Sequence, residues 1–525
     1  MSLSSREINI RKHDILLLLG TLVFLYLLVF RLPFYPYFYE KDHLIFLYNA
    51  DRIFNGEMPY RDFFSFTFPG TDVVYLVLFS IFGLKYIVLP IAIIIAGLLL
   101  FATAIKLSRT ALSGAVAYLP PVIYIFFGLR WFGVEGSHRL FAPLFINIGL
   151  LIVARARNVL TLVLTGVCCA FSSYFTQQRG IFAAFGFCVF LFAEDLATGT
   201  GSRRSFRDCF ILAAAFSVSL LLLCLPFLAA AGIQQLVFDT LVYPAQHYSQ
   251  HPDNTYAIFF TELKRELTID EAGKLFSAPA AVLYGLIVPL TPVAFFAYFW
   301  RKRRVKDWSF WRVPMLLAIV GATVLLGSTA PMHVRFFNIS IPSLILLCWL
   351  LCRTEWISKN VQKLSLAAIS LLLVMSFALA LRFQFLPGVE VIQLPVGPVA
   401  VVPPNDQFQR FIWLRDHTSP GEYVYEVYEP YVNFPLQLKN PTRISQVFPN
   451  GYTSAEQIDA VICDLSKNRP RFIVWDNSYN TPRELRAAGD NTGTLADYVQ
   501  QQYEPVDRIY MIADHPIQIW KLKGQ

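Results

Sequence analysis

Charged residues are scarce in this sequence, and their scarcity excludes most classes of soluble protein. Asp, Glu, Lys and Arg make up 15% of the 525 residues, whereas about 25% is usual in a soluble domain. Apolar residues make up 55%, and the mean hydropathy is +0.49. This composition also excludes disordered and collagen-like chains. It predicts a protein that crosses a membrane many times.

Cysteine is also sparse, and its distribution excludes a disulfide framework. Seven of the eight cysteines lie in or beside apolar runs, and only Cys463 lies in a polar region. No two cysteines have the Cys-x-x-Cys spacing of a metal knuckle. The sequence therefore predicts neither a disulfide-stabilised fold nor a structural zinc site.

Basic residues outnumber acidic residues only in the first three quarters of the chain. Residues 1–384 contain 32 Lys and Arg against 20 Asp and Glu, whereas residues 385–525 contain 12 against 16. The basic excess thus belongs to the apolar part, where cationic loops beside membrane spans explain it. Nucleic-acid binding is not needed to account for it, and we expect no nucleic-acid partner.

Eleven apolar runs are long enough, with their flanks, to cross about 30 Å of hydrocarbon. They lie near residues 15–30, 86–105, 110–129, 140–154, 158–175, 180–197, 209–231, 279–300, 313–328, 336–352 and 364–382. The first run is followed by the bulky sequence Arg31-Leu32-Pro33-Phe34-Tyr35 and has no small-residue cleavage site, so we expect it to be an uncleaved span. The sequence predicts a polytopic α-helical membrane protein with about 11 to 13 spans.

The distribution of cations predicts how the chain is oriented. If the N-terminus is cytoplasmic, the inside segments contain 19 Lys and Arg in 55 residues, against 12 in 123 residues outside. This is the positive-inside bias. An odd number of spans then places the C-terminal part outside. We expect an integral protein of a bacterial inner (plasma) membrane with a periplasmic or extracellular C-terminal domain.

The chain divides into three predicted parts. Residues 1–384 form the membrane core, whose first external loop covers about 31–85, and the Pro-rich residues 385–404 form a linker. Residues 405–525 form an exported α/β domain, because short strand-like segments alternate there with the amphipathic stretches 406–417 and 454–466. The predicted strands are Tyr423–Val427, Arg471–Trp475, Ile509–Ile512 and Ile517–Trp520.

This orientation assigns many polar side chains to the outer face. They include five histidines, three arginines at the ends of spans, and several carboxylates of the first loop: His43, His138, His247, His251, His333, Arg139, Arg179, Arg335, Glu40, Asp42, Asp51, Glu57, Asp62 and Asp72. Such a set indicates a site for an anionic ligand and an acid–base reaction. The alternative is that external loops simply accommodate polar residues, and that the arginines lie along the membrane interface.

The first external loop carries a family resemblance. Its segment Tyr39-Glu40-Lys41-Asp42-His43 begins a run with apolar residues at helical spacing and a charged face, which ends at Asn55-Gly56. It predicts an interfacial helix that lies along the membrane, the first of an interfacial helix pair in this loop. Pro59-Tyr60-Arg61-Asp62-Phe63 follows, and Phe68-Pro69-Gly70 begins another aromatic helix. This order resembles the first loop of the C-type (GT-C) membrane glycosyltransferases. In particular it is similar to the bacterial branch related to protein O-mannosyltransferases and the lipid A aminoarabinose transferase.

The resemblance implies a function in glycosylation of the cell envelope. It implies a transferase that takes a sugar from a polyprenyl-phosphate donor and passes it, with inversion, to a glycan, lipid or protein acceptor on the outer face. The carboxylate at the family's reacting centre maps onto Asp42. The usual Asp-Glu pair is replaced here by Asp42-His43, so Glu40 is a rival, and Asp62 is a further catalytic candidate.

A transferase of this kind needs cations for the leaving phosphate. The candidates are Arg139, Arg179, His333 and Arg335, each beside the outer end of a span. A possible covering loop at about 232–278 contains Tyr243, His247 and His251. Some members of the superfamily use a divalent cation, but no spacing here is a metal signature, and we predict no metal ligands.

Two other classes of function stay open on the sequence alone. A secondary transporter has a similar number of spans, although it usually places ionisable groups at the membrane midplane and repeats its halves. A non-catalytic membrane assembly protein has no need of the loop carboxylates. Membrane lipids are expected partners in every case.

Overall fold

The computed structural model describes residues 12–129, 134–251, 254–268, 274–304, 307–328, 332–402, 406–480, 490–506, 508–512 and 515–524. The predicted sites all lie within these ranges. Parts of three predicted segments, near residues 269–273, 329–331 and 403–405, lie outside the described residues.

The predicted polytopic helical architecture is confirmed. Eight described helices are long and apolar enough to span a membrane: Lys12–Val29, Val88–Ala111, His138–Arg155, Gln177–Thr198, Ser202–Ala231, Ala278–Lys302, Trp308–Leu326 and Ile357–Gln384. Shorter apolar helices are Gly114–Leu129, Val159–Phe175 and Ile341–Leu351, besides Gly70–Phe82 in the first loop. Each of the eleven predicted runs coincides with one of these helices. The three shorter ones correspond to runs that need residues from their flanks to reach across the hydrocarbon.

Ion pairs join neighbouring helices at the end of the bundle that carries the cationic loops. Arg157 lies 2.7 Å from Asp195 and 2.8 Å from Asp208, and all three side chains are buried. Arg109 pairs with Asp14 of the first helix. These contacts satisfy charges that would be costly to bury alone. The cations predicted to lie inside therefore also hold the bundle together.

The first loop begins with a two-stranded antiparallel ribbon, β1 (Phe30–Arg31) and β2 (Tyr35–Pro36). Two helices follow, His43–Phe54 and Gly70–Phe82, and they pack against each other. The predicted helix pair is thus present. Residues 43–52 are all buried. The polar face of this helix is covered by protein instead of facing water, because the C-terminal domain lies over it.

Residues 385–404, predicted as a linker, contain an antiparallel hairpin of β3 (Glu390–Leu394) and β4 (Gly397–Val401). Val399 and Ala400 are fully buried. The amide of Phe38 donates to the carbonyl of Ala400 at 2.9 Å, which ties the hairpin to the first loop. The buried valines of this hairpin explain why the segment packs against the rest of the protein and does not act as a flexible connection.

The C-terminal domain is built on a five-stranded sheet in the order β5 (Val424–Glu426), β6 (Phe472–Asp476), β9 (His515–Leu522), β7 (Tyr503–Pro505), with β8 (Tyr510–Ile512) also paired to β9. Strands β5 and β6 are parallel, and the other pairs are antiparallel. Its helices are Asp406–His417, Asn433–Leu436, Ala455–Asn468 and Gly493–Gln502. Four strands and two helices match the predicted segments, and β7 was not predicted.

A buried ion triad joins the C-terminal domain to the first loop. Arg410 pairs with Glu40 of the loop and, at 3.2 Å, with Glu426 of β5. The three side chains are 2%, 4% and 6% exposed. Tyr48 strengthens the same contact, since its hydroxyl accepts from the amide of Asn440 at 2.6 Å. The domain is therefore seated on the first loop, and the two parts enclose a space between them.

Candidate active site

A cavity of about 670 Å³ lies where the first loop, several helix ends and the C-terminal domain meet. Its lining includes one carboxylate of the first loop, three arginines from the helix bundle and one carboxylate of the C-terminal domain: Asp42, Arg139, Arg179, Arg335 and Glu429. A cavity of this size is in the usual range for a small-molecule site. It brings together residues that are separated by almost the whole chain.

Asp42 immediately precedes the helix His43–Phe54, and its carboxylate lies 3.0 Å from the guanidinium of Arg139. The side chain is 35% exposed and lines the cavity. Loss of surrounding water raises the pKa of Asp42 above its ordinary value, while the charge of Arg139 opposes that shift. Asp42 is the only carboxylate of the first loop among the described residues that line the cavity.

The three arginines reach the cavity from different helices. Arg139, at the start of His138–Arg155, also pairs with Glu135 at 3.1 Å. Arg179 is 6% exposed and donates to the carbonyl of Arg139 at 3.2 Å. Gly180 lets the helix of Arg179 approach Cys169, because a Cβ there would collide with the Cys169 carbonyl.

Arg335 completes this set from the short helix His333–Asn338. Its guanidinium donates to Asn254 at 3.3 Å. The three arginines are balanced in part by two carboxylates, Asp42 and Glu135, which both pair with Arg139, so an excess of one positive charge remains. That excess suits a bound anion.

Three predicted candidates lie elsewhere. Glu40 forms a buried ion pair with Arg410 and does not line the cavity. Asp62 accepts from the amide of Met58 at 2.8 Å and pairs with Arg61, which stabilises a turn of the first loop. His333 is buried and is absent from the cavity lining, although Arg335 lies only two residues later.

The predicted covering loop is fastened to the C-terminal domain. The hydroxyl of Tyr243 donates to the carbonyl of Tyr452 at 2.7 Å, and His247 Nδ1 lies 3.1 Å from the carbonyl oxygen of Gly451. His251 lines the cavity. Two of the three residues thus hold the loop in place, and one faces the site.

Sequence reasoning missed the wall contributed by the C-terminal domain. That wall consists of Tyr428, Glu429, Ser445, Gln446, Phe448 and Tyr452. No motif in the sequence marks these residues, since a distant contact alone brings them to the cavity. Glu135 was also missed, although its position four residues before Arg139 could have suggested an ion pair.

Two exposed apolar residues line the cavity, one from the helix Gln177–Thr198 and one from the predicted covering loop. They are Ile181 and Leu241, and each keeps about half of its surface exposed (45% and 50%). The cavity therefore has an apolar flank beside its cationic side.

Among the described residues, no group of three or more His, Cys, Asp or Glu side chains is placed to hold a metal ion. The carboxylates Asp42 and Glu135 are each paired with Arg139 in the structure.

Similarity to known proteins is found at the level of structure. No family model matches the sequence, and no curated protein matches it significantly. ArnT from Cupriavidus metallidurans in the apo state superposes with a TM-score of 0.58 and 12% identity, over 96% of this chain and 97% of that chain. The same protein bound to undecaprenyl phosphate gives 0.57 and 12% over the same shares.

An archaeal protein has a similar architecture. The apo oligosaccharyltransferase from Archaeoglobus fulgidus superposes with a TM-score of 0.52 and 13% identity, over 94% of this chain and 72% of that chain. Both proteins are GT-C enzymes, and the identities are low enough that the likeness concerns the fold. This chain has the GT-C fold, as the first-loop resemblance predicted.

Proposed function

We propose that the protein is a glycosyltransferase that moves a sugar from a polyprenyl-phosphate donor to an acceptor at the outer face of the membrane, with inversion. The observation that carries this proposal is the convergence of Asp42 with Arg139, Arg179 and Arg335 on one cavity. The fold supports it, and one neighbour of the same fold is bound to undecaprenyl phosphate.

The arginines would hold the donor phosphate. When the bond from the anomeric carbon to the phosphate oxygen breaks, the electron pair leaves with the phosphate, whose negative charge increases by one. Guanidiniums fixed beside that phosphate stabilise the added charge without rearranging. Arg179 donates to the carbonyl of Arg139 and Arg335 donates to Asn254, so both guanidiniums are held in the cavity lining where the phosphate would bind.

Asp42 would take the proton of the acceptor hydroxyl. The acceptor oxygen attacks the anomeric carbon on the face opposite the phosphate, which inverts the configuration there. The proton passes to the Asp42 carboxylate. Burial raises the pKa of Asp42, which makes it a better base than an ordinary aspartate, while the charge of Arg139 opposes that shift.

The apolar flank of the cavity would admit the polyprenyl chain. A long hydrocarbon chain cannot enter through water, so it has to pass between helices that face lipid. Ile181 and Leu241 provide an apolar path beside the cationic side. We place the N-terminus in the cytoplasm and the cavity at the periplasmic or extracellular face, because the cationic loops lie at the opposite end of the bundle.

The test is the release of polyprenyl phosphate by the purified protein in lipid nanodiscs, offered polyprenyl-phosphate sugars one at a time. We expect at least one donor to be consumed and the glycoside to have inverted configuration by NMR. Arg179→Gln with Arg335→Gln should abolish release. The control is the double variant Arg61→Gln with Arg415→Gln, which removes two cations outside the cavity and should not change the release of polyprenyl phosphate. Equal activity of the two double variants would contradict the proposal.

A further inference from the structure

The two sides of the cavity differ in charge and chemistry. All three arginines of the lining come from the helix bundle, whereas the described lining residues of the C-terminal domain include no cation. That wall presents three aromatic side chains, two of them tyrosines, together with one carboxylate, one amide and one serine hydroxyl: Tyr428, Phe448, Tyr452, Glu429, Gln446 and Ser445. An anion is favoured beside the arginines, so the wall of the C-terminal domain, which has no cation among its described lining residues, is suited to a different ligand.

The rings of this wall form a continuous packed surface. The centroids of Tyr428 and Phe448 lie 4.7 Å apart, and those of Phe448 and Tyr452 lie 4.6 Å apart. Tyr248 of the covering loop extends the surface, with its centroid 5.8 Å from that of Tyr452. Such contacts fix the rings in place before a ligand arrives.

Polar groups with unused hydrogen-bonding capacity stand beside these rings. Within the described part of the chain, the side chains of Glu429 and Gln446 make no hydrogen bond. Burial raises the pKa of Glu429 well above its ordinary value, and the nearby charge of Asp42 raises it further. Hydrogen-bonding groups that line a cavity and lack partners are placed to receive a polar ligand.

We propose that the C-terminal wall is an acceptor subsite for a glycan: the rings of Tyr428, Phe448 and Tyr452 contact the C–H faces of a sugar, while Glu429 and Gln446 bind its hydroxyls. This inference rests on the proposed function, since it names the acceptor of that same reaction. A purely apolar lipid acceptor would leave Glu429 and Gln446 without partners. A sugar offers both the hydroxyls and the apolar ring faces that this wall needs.

The subsite is attached to the catalytic candidate through the buried triad. Glu40 lies two residues before Asp42, and Glu426 lies three residues before Glu429. Arg410 holds both Glu40 and Glu426. The same contact thus sets the position of the proposed base and of the sugar-binding carboxylate, so an acceptor on the wall is presented to Asp42.

Saturation-transfer NMR on the full-length protein in nanodiscs tests this directly. The probes are the methyl glycosides of glucose, mannose, galactose and N-acetylglucosamine, with a Ser/Thr-containing peptide as comparison. We expect signals from at least one glycoside, reduced fivefold or more by Glu429→Gln and by Phe448→Leu. The matched controls Glu504→Gln and Phe385→Leu alter exposed residues away from the cavity and should retain the wild-type signal.

The outcomes separate this inference from the proposed function. No variant-sensitive signal from any glycoside overturns the glycan subsite, and a peptide signal lost in both wall variants assigns the wall to a protein acceptor instead. Binding of undecaprenyl phosphate is measured in parallel. Glycoside binding at the wall without any binding of undecaprenyl phosphate would leave the subsite standing and contradict the donor.

Discussion

Removal of Arg410 should detach the C-terminal domain from the first loop. Arg410→Met leaves the carboxylates of Glu40 and Glu426 buried together without a cation. Breaking a buried ion pair in this way costs about 3–5 kcal/mol. At about 1.4 kcal/mol for each factor of ten, that is roughly a 10²- to 10⁴-fold shift toward the open state.

Hydrogen–deuterium exchange measures this shift in the intact protein. Amides of the helix His43–Phe54 and of the hairpin formed by β3 and β4 should lose protection by about that factor, while the helix bundle keeps its own. The control Arg415→Met removes a pair with Asp416 on the same helix, worth less than about 1 kcal/mol. Because Arg415 also donates to the carbonyl of Gln393 in β3, the two variants are compared on the amides of the helix His43–Phe54. Equal exchange in the two variants would refute the role assigned to the triad.

The pH dependence provides a second check on the same variant. Burial already raises the pKa of Glu426, and the charge of Arg410 is the largest influence that opposes this shift, with a smaller one from the amide of Val432. Without Arg410 the docked state binds a proton more readily than the open state. Docking should therefore weaken as the pH rises above the ordinary glutamate value and recover as the pH falls. A deficit that does not change with pH would show that lost packing, and not buried charge, is the cause.

Three further outcomes are expected. Arg335→Lys keeps the charge but loses the planar guanidinium, so donor affinity should fall measurably, and further in Arg335→Ala; equal affinities by titration with undecaprenyl phosphate would contradict a phosphate contact. Because the pKa of Asp42 is raised, the acid limb of kcat/KM should lie above pH 3.8, the ordinary value for the group, with activity falling as the pH is lowered; a flat profile would exclude Asp42 as the titrating base. A reporter active only in the oxidising exterior should work after Gln525 and fail after Arg304, and the reverse pattern would overturn the orientation.

Most of the fold could be predicted because hydrophobic length is a strong signal in a membrane protein. The run near 158–175 corresponds to the helix Val159–Phe175, whose start is marked by the capping residue Asn158. The hairpin formed by β3 and β4 was not predicted. Its Pro and Gly residues indicate a connection, and only the contact of Ala400 with Phe38 shows that the segment is packed.

The site could be predicted only in part. Sorting residues by membrane side was enough to place Asp42 with the arginines. It could not choose between Glu40 and Asp42, because the partner that removes Glu40 from the cavity, Arg410, is 370 positions away. It also grouped His333 with Arg335, although residues two apart on a helix point about 200° from each other.

The wall of the C-terminal domain illustrates the limit of such reasoning. Glu429 follows a short strand and has no motif around it, so its sequence neighbours give no indication of a functional role. Its position depends on the docking of the whole domain over the first loop. Contacts of that kind arise from tertiary packing, and no local pattern encodes them.

The most direct test of the central claim is the release of polyprenyl phosphate by Asp42→Asn, compared with Glu40→Gln and wild type in one donor assay. Asparagine keeps the size and hydrogen bonding of Asp42 but cannot accept the proton. We predict a loss of about 10²-fold or more in kcat, with undecaprenyl phosphate binding retained and a smaller loss in Glu40→Gln. Wild-type turnover by Asp42→Asn, or loss of turnover in Glu40→Gln alone, would contradict the assignment of Asp42 as the base.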